Sequence, residues 1–225
     1  MEVSAWPPCW VVDQGLVEYR QAQAQQRELV ARRRAGAVPD CLLVLEHPSV
    51  ITIGRSGSSA DILAEAQVLR ERGIAVCSSE RGGEVTYHGP GQLVGYPIFD
   101  LRAAGLDLRA YWQRLEEVIC AVANAYGVTA ERRSGLTGVW CGEQKLASLG
   151  LRVNGWVAWH GFALNVNNDL SAFELIHPCG MRNGKVTSLS ARVGRGIELS
   201  EVKSQVVEHF GRAFMRRMQS HQGIL

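Results

Sequence analysis

The sequence lacks the features that define several large protein classes. Its apolar runs are far shorter than the roughly 20 residues that a membrane-spanning helix needs, so no membrane association is expected. Its net charge is only +2, which gives no electrostatic argument for nucleic-acid binding. It has no phosphate-binding glycine motif, and residues 1–8 do not have the basic, apolar pattern of a secretion signal. We therefore expect a cytoplasmic protein that binds neither nucleic acid nor membrane.

Paired cysteines are absent as well, although the chain contains six cysteines. Because none of them form a C-x-x-C pair, the sequence predicts no zinc site, and we expect neither a metal nor another cofactor. Most of the cysteines stand in apolar runs, where a thiol behaves as a small buried hydrophobic group. Lysine is also scarce, since Lys145, Lys185 and Lys203 are the only lysines among 24 basic residues.

The composition itself is that of an ordinary globular protein, with 46% hydrophobic and 20% charged residues in a chain of 225. We expect a single domain covering residues 1–225. Helical patterns cover residues 14–34, 60–72, 108–126 and 200–218, and strand-like patterns cover 41–46, 50–53 and 74–77. Because helices and strands are mixed without strict alternation, the predicted fold class is α/β of the α+β kind, a mixed β-sheet flanked by helices.

A hairpin is predicted in the second half of the chain. Asn154-Gly155 lies between two strand-like runs and is typical of a two-residue type I′ turn. With these two residues as the turn, Val153 pairs with Trp156, and every later pair follows from that register. The register places Lys145 on a strand face that is otherwise apolar.

Three side chains are candidates for chemistry, each with a structural alternative. Burying the ammonium of Lys145 is costly unless it is paired or functional, although a lysine at a strand end can also extend to solvent. Cys179 lies between proline and glycine in HPCGM, where a nearby cation would make its thiol a nucleophile. His177, two residues earlier, is a candidate base. An inert thiol and a loop histidine are the alternatives. Glycines beside His88 let a ligand approach the backbone, yet a lone histidine is more often structural.

Five stretches between residues 41 and 191 carry a family resemblance. In chain order they read EHPSVITIGR, RGGEVTYHGPGQLVGYPI, GVWCGEQKLASLGLRV, HGFALNVNNDL and HPCGM. Together they resemble the lipoyl(octanoyl) transferases of protein lipoylation, whereas no single stretch is specific. The resemblance implies a fold related to the catalytic domains of biotin and lipoate protein ligases, with a pocket beside the mixed sheet.

The resemblance also implies an activity, its partners and its site. It implies transfer of an octanoyl or lipoyl group from acyl carrier protein, with octanoyl-acyl carrier protein as the donor, to lipoyl domains of 2-oxoacid dehydrogenase complexes and to the glycine cleavage H protein. We expect a monomer. Cys179 would form the acyl thioester, and Lys145 would lower the pKa of its thiol. The implied substrate site consists of Arg81, Gly82, Gly83, Glu84, Val85, Thr86, Tyr87, His88, Ser148, Leu149, Gly150, Gly161, Phe162 and Ala163. The predicted hairpin register supports this site because it places Ser148 opposite Gly161.

Two other functions fit part of the pattern. An ATP-dependent lipoate or biotin protein ligase has a related fold and a lysine on the equivalent strand, so Lys145 does not distinguish it. Cys179 does, because an adenylating ligase needs no nucleophilic thiol. A non-catalytic module that binds acyl chains or lipoyl domains would need neither residue for chemistry. We therefore expect an acyltransferase.

Overall fold

The computed structural model describes residues 5–177 and 185–222, in which two β-sheets are combined with helices. The strands are β1 (Pro8–Leu16), β2 (Asp40–Glu46), β3 (Val50–Ile53), β4 (Ala75–Ser78), β5 (Val85–His88), β6 (Gln92–Asp100), β7 (Glu131–Arg132), β8 (Val139–Cys141), β9 (Gln144–Asn154), β10 (Val157–Asn165), β11 (Lys185–Val186) and β12 (Arg217–Ser220). The helices are α1 (Tyr19–Arg34), α2 (Ala66–Glu71), α3 (Leu108–Ala125), α4 (Leu189–Val193) and α5 (Leu199–Phe214), with 3-10 turns at Ser59–Asp61 and Ser171–Leu175.

The larger sheet is mixed, as the sequence predicts. Within the described residues its order is β12-β1-β2-β6-β10-β9-β8-β7, and β11 pairs with the beginning of β9. β1 is parallel to both β2 and β12, whereas β6, β10, β9 and β8 form antiparallel neighbours. A smaller sheet has the order β4-β3-β5. The predicted fold class, a mixed sheet flanked by helices, is confirmed.

Helices cover both faces of the larger sheet and build two cores. On one face, apolar side chains of α1 pack with those of β2, β6 and β10, for example Leu29 against the cluster that contains Leu43 and Trp159. On the other face, α3 and α5 pack against the sheet and each other, burying Tyr111 and Phe210. No helix in the described part of the chain is long and apolar enough to cross a membrane.

The helix predicted from residue 108 is present because its local signals agree with its packing. The side chain of Asp107 accepts a hydrogen bond from the Ala110 N–H (2.7 Å) and so caps the N-terminus of the helix. Leu115, Ile119 and Val122, spaced by about one helical turn, are fully buried. This helix lies beside the β9–β10 hairpin and supplies part of the site described below.

Three predicted helices are wrong at one end. The helix predicted over residues 60–72 is α-helical only at Ala66–Glu71, after a 3-10 turn at Ser59–Asp61. Residues 14–16 belong to β1 and not to a helix, and residues 217–220 form β12 beyond the end of α5. Arg217 pairs with Pro8 and Ser220 with Val11, so these two strands stabilise each other across almost the whole length of the chain. Pairing between such distant segments overrides local helix preference.

A buried ion cluster holds β2, α1 and the end of α5 together. The Asp40 carboxylate accepts hydrogen bonds from the Arg33 and Arg216 guanidinium groups, each at 2.8 Å, and from the Asp100 N–H at 3.0 Å. The Asp100 carboxylate lies 3.6 Å from Arg33 and is more exposed. The cluster contains two guanidinium groups and two carboxylates, so its charges balance.

The predicted hairpin is present, but its turn is shifted by one residue. Gly155 and Trp156, with φ of 58° and 71°, occupy the two turn positions, and Asn154 pairs with Val157. The predicted pairing of Val153 with Trp156 is therefore wrong, and Val153 pairs with Ala158. Because the register changes by two residues, the assignment of residues to the two strand faces is otherwise kept.

Candidate active site

A cavity of about 330 Å³ lies between the β9–β10 hairpin, the loop at residues 81–84 and helix α3. Its size is within the range of small-molecule sites. All of the predicted substrate residues line it except Val85 and Tyr87. The hairpin register brings Ser148 opposite Ala163 and Gly150 opposite Gly161, so two stretches that are separate in the sequence form one wall. Sequence reasoning missed six lining residues, Ser56, Tyr96, Trp112, Thr137, Leu151 and His160.

Val85 and Tyr87 lie on the other side of β5, because successive side chains of a strand alternate. Both are buried in the core between the smaller sheet and the 3-10 turn at Ser171–Leu175. The Tyr87 ring lies 5.6 Å from the Phe173 ring, and its hydroxyl is 3.1 Å from the Ser49 hydroxyl. They therefore support the cavity wall from behind.

Arg81 fixes the loop that forms one side of the cavity. Its buried guanidinium donates to the carbonyls of Thr52 (2.8 Å), Glu84 (2.7 Å) and Gly82 (3.0 Å) and to the Thr52 hydroxyl (2.9 Å). The Gly82 N–H donates in turn to the Leu151 carbonyl of β9 (2.9 Å). Main-chain and side-chain bonds therefore pin the loop to both sheets.

Two glycines of the cavity wall are required by close approach of the protein to itself. A Cβ added at Gly161 would lie 2.1 Å from the Gly95 carbonyl oxygen of β6, and one added at Gly150 would lie 3.0 Å from the Gly82 carbonyl oxygen and 3.1 Å from Arg81 Cδ. Glycine permits such backbone contacts. These glycines therefore set how closely loop and strands pack, and thereby the width of the cavity.

His88 is buried in a hydrogen-bonded network behind the cavity. Its Nδ1 lies 2.7 Å from Gln92 Oε1, and the Gln92 amide nitrogen donates to Asn165 Oδ1 (2.9 Å). Since Gln92 presents its oxygen, His88 Nδ1 donates the proton and Nε2 accepts, with the Thr52 hydroxyl 3.5 Å away. Burial, with nearby His47 and Arg81, holds the pKa of His88 well below its usual range. His88 is therefore a neutral member of the wall.

The network extends from His88 toward the strand that carries Lys145. The Asn165 amide nitrogen donates to the Thr187 carbonyl (3.0 Å), and the Thr187 N–H donates to the Lys145 carbonyl (2.9 Å). A continuous set of hydrogen bonds thus connects the middle of the cavity wall with the beginning of β9.

His160 enters the cavity because its backbone breaks the strand pattern. Its φ of 58° is unusual for a residue other than glycine, and its ring stacks on that of neighbouring Trp159 at 4.2 Å. It is 1% exposed, and neither ring nitrogen has a hydrogen-bond partner among the residues that the structure describes. Burial and the adjacent Arg81 lower the pKa of His160 to about 3, so its ring is neutral.

Trp112 forms the α3 side of the cavity, and a buried carboxylate orients it. Its indole N–H donates to Glu116 Oε1 at 2.8 Å, one helical turn away, and the Gly138 N–H reaches the same oxygen at 3.3 Å. Burial is the main cause that raises the pKa of Glu116 above its ordinary value. Glu116 therefore holds together the tryptophan and the chain segment that approaches Lys145.

Lys145 is 3% exposed and lies at the beginning of β9. Its Nζ is 5.1 Å from the centre of the Trp140 ring, within reach of a cation–π interaction. The ion pairs of the described residues do not include this ammonium. It does not line the cavity itself, but it precedes the lining residue Ser148 by three positions on the same strand.

Cys179 lies outside the described residues. Before it, the His177 N–H donates to the Asp61 carbonyl at 2.8 Å. After it, the chain returns to the larger sheet as β11, where Val186 pairs with Lys145. The described chain that follows Cys179 is therefore joined to the strand of Lys145.

The other thiols have inert surroundings. Cys9, Cys41, Cys77 and Cys141 are buried, and Cys120 is partly buried. Burial raises the pKa of Cys9, brings that of Cys41 to about 12 and that of Cys120 to about 11, and also raises that of Cys141. Within residues 5–177 and 185–222 no group of acidic, histidine and cysteine side chains is arranged to hold a metal ion.

Comparison with known proteins identifies relatives over most of the chain. Residues 18–211 match the family model of the lipoyl protein ligase A/B catalytic domain. An octanoyltransferase of Solibacter usitatus is 47% identical over 206 residues, covering 92% of this chain and 93% of the relative. An octanoyltransferase of Geobacter metallireducens is 48% identical over 198 residues, covering 88% and 90% of the two chains.

Solved structures share the fold at low sequence identity. Lipoate-protein ligase A bound with ATP superposes with a TM-score of 0.77 at 15% identity, over 97% of this chain and 90% of that chain. Biotin protein ligase from Aquifex aeolicus, in complex with biotin and ATP, gives a TM-score of 0.53 at 12% identity, over 92% and 70%. These likenesses support the predicted relation of the fold to both kinds of ligase.

Proposed function

The chain belongs to the octanoyltransferase family, a family of acyltransferases, and we propose that it transfers an octanoyl or lipoyl group from acyl carrier protein to a lysine of a lipoyl domain through a thioester on Cys179. One observation carries the proposal. A buried Lys145 lies at the beginning of β9, three residues before the cavity wall, and the strand that follows Cys179 pairs beside it.

The cavity suits an aliphatic chain. Leu149, Leu151, Phe162 and Trp112 contribute apolar surface to its wall. Burial of a methylene group is favourable by about 0.8 kcal/mol, so an eight-carbon chain gains substantial binding free energy in such a site. The loop held by Arg81 closes the opposite side.

In the first step, the Cys179 thiolate attacks the thioester carbonyl of the acyl carrier protein. A carbon–sulfur bond to the enzyme forms, the bond to the carrier sulfur breaks, and the carrier thiolate leaves and takes the proton of the Lys145 ammonium, which becomes a neutral amine. The ammonium of Lys145 favours the ionised thiol, since an opposite charge within a few ångströms stabilises it. Exchange of one thioester for another is nearly neutral in energy and requires no ATP.

In the second step, the neutral amine of the acceptor lysine attacks the acyl-enzyme. The new carbon–nitrogen bond forms an amide, the carbon–sulfur bond of the enzyme breaks, and the thiolate of Cys179 is restored. The attacking amine must lose a proton, and Lys145 accepts it in its neutral form.

The partners follow from the same proposal. The donor is octanoyl-acyl carrier protein, and the acceptors are the lipoyl domains of 2-oxoacid dehydrogenase complexes and the glycine cleavage H protein. A monomer of one catalytic domain covering residues 1–225, working in the cytoplasm without a metal or other cofactor, stays a prediction.

Intact-protein mass spectrometry tests the covalent step. Incubation with octanoyl-acyl carrier protein should add one octanoyl group, and peptide mapping should locate it on Cys179. Subsequent addition of a lipoyl domain should remove it and acylate the acceptor. Full turnover by a Cys179→Ser variant would exclude the nucleophile role. Consumption of ATP with free octanoate would instead support a ligase.

A further inference from the structure

The cavity has an end that is far from Lys145. Along the hairpin, the lining residues run from Ser148, paired with Ala163, to Leu151, paired with His160. This is three residue steps, or about 10 Å at the rise of a β-strand, which is comparable with the length of an extended octanoyl chain. If the reacting carbonyl lies beside Lys145, as the proposed function requires, the methyl end of the chain points toward His160.

A polar group stands at this far end. The His160 ring is neutral and buried, both of its nitrogens lack partners within the described residues, and Trp159 stacking fixes its orientation. Such an imidazole needs a water molecule or a polar ligand group to complete its hydrogen bonds. Contact with an alkyl chain cannot provide them.

We propose that His160 sets the upper length of the acyl chain, an inference that rests on the proposed function. A chain of octanoyl length stops before the ring and leaves room for water on it. A longer chain removes that water and leaves buried nitrogens unpaired. Each added methylene favours binding about fourfold, whereas an unpaired buried polar group disfavours it about fivefold to 150-fold. The penalty therefore exceeds the gain from the first methylene that reaches the ring.

An isosteric pair of acyl groups tests this on the wild-type protein. Nonanoyl and 8-hydroxyoctanoyl chains have the same number of heavy atoms beyond the carbonyl, but only the second ends in a hydroxyl that can bond to His160. As thioesters of acyl carrier protein, 8-hydroxyoctanoyl should acylate Cys179 about fivefold faster than nonanoyl, measured as the second-order rate constant. Faster acylation by nonanoyl would overturn the proposal.

The matched variant is His160→Phe, which keeps an aromatic ring and removes both nitrogens. We expect it to prefer nonanoyl over 8-hydroxyoctanoyl and to raise the decanoyl-to-octanoyl rate ratio about fivefold. His209→Phe on α5 makes the same substitution outside the cavity and should leave both ratios unchanged. A folded His160→Phe protein with wild-type ratios would contradict the role of His160. The wild-type comparison decides the question if the variant does not fold.

The proposed acyl transfer and the proposed role of His160 can fail separately. If no acyl-enzyme forms with octanoyl-acyl carrier protein, the proposed function fails. Calorimetric binding of 8-hydroxyoctanoate and nonanoate to the wild-type protein then still tests the polar end of the cavity, since the hydroxylated acid should bind more tightly. Equal or weaker binding of the hydroxylated acid would refute the inference on its own.

Discussion

Removing the charge of Lys145 should change the pH at which Cys179 becomes reactive. A Lys145→Met variant keeps an unbranched side chain of similar length and loses the ammonium. Because Lys145 is 3% exposed, water screens its field only weakly. A cation at short range lowers the pKa of an acid by about one to three units, so its removal should raise the midpoint of Cys179 alkylation by about one to three pH units. Each unit corresponds to about 1.4 kcal/mol.

The assay measures the rate at which iodoacetamide alkylates the peptide containing Cys179, as a function of pH. Alkylation requires the thiolate, which is present above the pKa of the thiol, so the variant should react more slowly near neutral pH and equally fast at high pH. Burial raises the pKa of Cys9, Cys41, Cys120 and Cys141, which keeps them unreactive. Cys77, also buried, is replaced by alanine in every protein compared.

Two further substitutions serve as controls. Lys145→Arg keeps the positive charge and should preserve most of the wild-type midpoint. Lys203→Met removes a surface lysine that pairs with Asp13 and should have no effect. A Lys145→Met protein that is folded and retains the wild-type midpoint would refute the electrostatic role. Since the ammonium is buried, we also expect this variant to be at least as resistant to thermal unfolding as the wild type.

Three other substitutions test the wall and the fold. Gly150→Ala should raise KM for the octanoyl donor about tenfold, because the added Cβ displaces the adjacent loop. Gly196→Ala, with nothing within 4 Å of the added Cβ, should leave KM unchanged. Wild-type kinetics of the Gly150→Ala variant would contradict the close contact between Gly150 and the loop. Asp40→Asn should lower the free energy of unfolding in urea by about 3–5 kcal/mol, because it breaks a buried ion cluster. Asp100→Asn, at the more exposed carboxylate, should lower it by less than about 1 kcal/mol. Equal effects of the two substitutions would refute the structural role of the buried cluster. Burial lowers the pKa of His47 to about 4, so stability that is present above about pH 6.5 is lost as the pH falls toward 4. His47→Gln should flatten the pH dependence of the free energy of unfolding by up to about 1.4 kcal/mol per pH unit. An unchanged slope would show that His47 does not contribute to this dependence.

Elements with agreeing local signals could be predicted from the sequence. Helix α3 has a capping Asp107 and apolar residues at helical spacing, and it begins where expected. The hairpin is predicted from its turn residues, but turn propensity favours Asn154-Gly155, whereas the structure uses Gly155-Trp156 and gives positive φ to a tryptophan. β12 could not be found locally, since its stabilising partner β1 lies more than 200 residues away in the sequence.

The candidate site, like the fold, could be predicted only in part from the sequence. Its predicted members come from contiguous motifs, and the sheet brings most of them together. Trp112 lies within a predicted helix, but the sequence does not show which loop and strands that helix faces. His160 lies in a strand of the hairpin, and its entry into the cavity depends on a left-handed backbone conformation that no local residue pattern predicts.

The glycines of the cavity wall have a different role from the one that glycine in a strand first suggests. Glycines in a strand can leave space for a ligand, but Gly150 and Gly161 face main-chain atoms of the protein at distances too short for any Cβ to fit comfortably. The wall is therefore held in one position by its own contacts, by the bonds of Arg81 and by the network of His88. A fixed wall lowers the entropy cost of ordering an acyl chain at the reacting groups. Its cost to stability is the burial of the polar side chains of Arg81 and His88, which their hydrogen bonds to Thr52 and Gln92 offset.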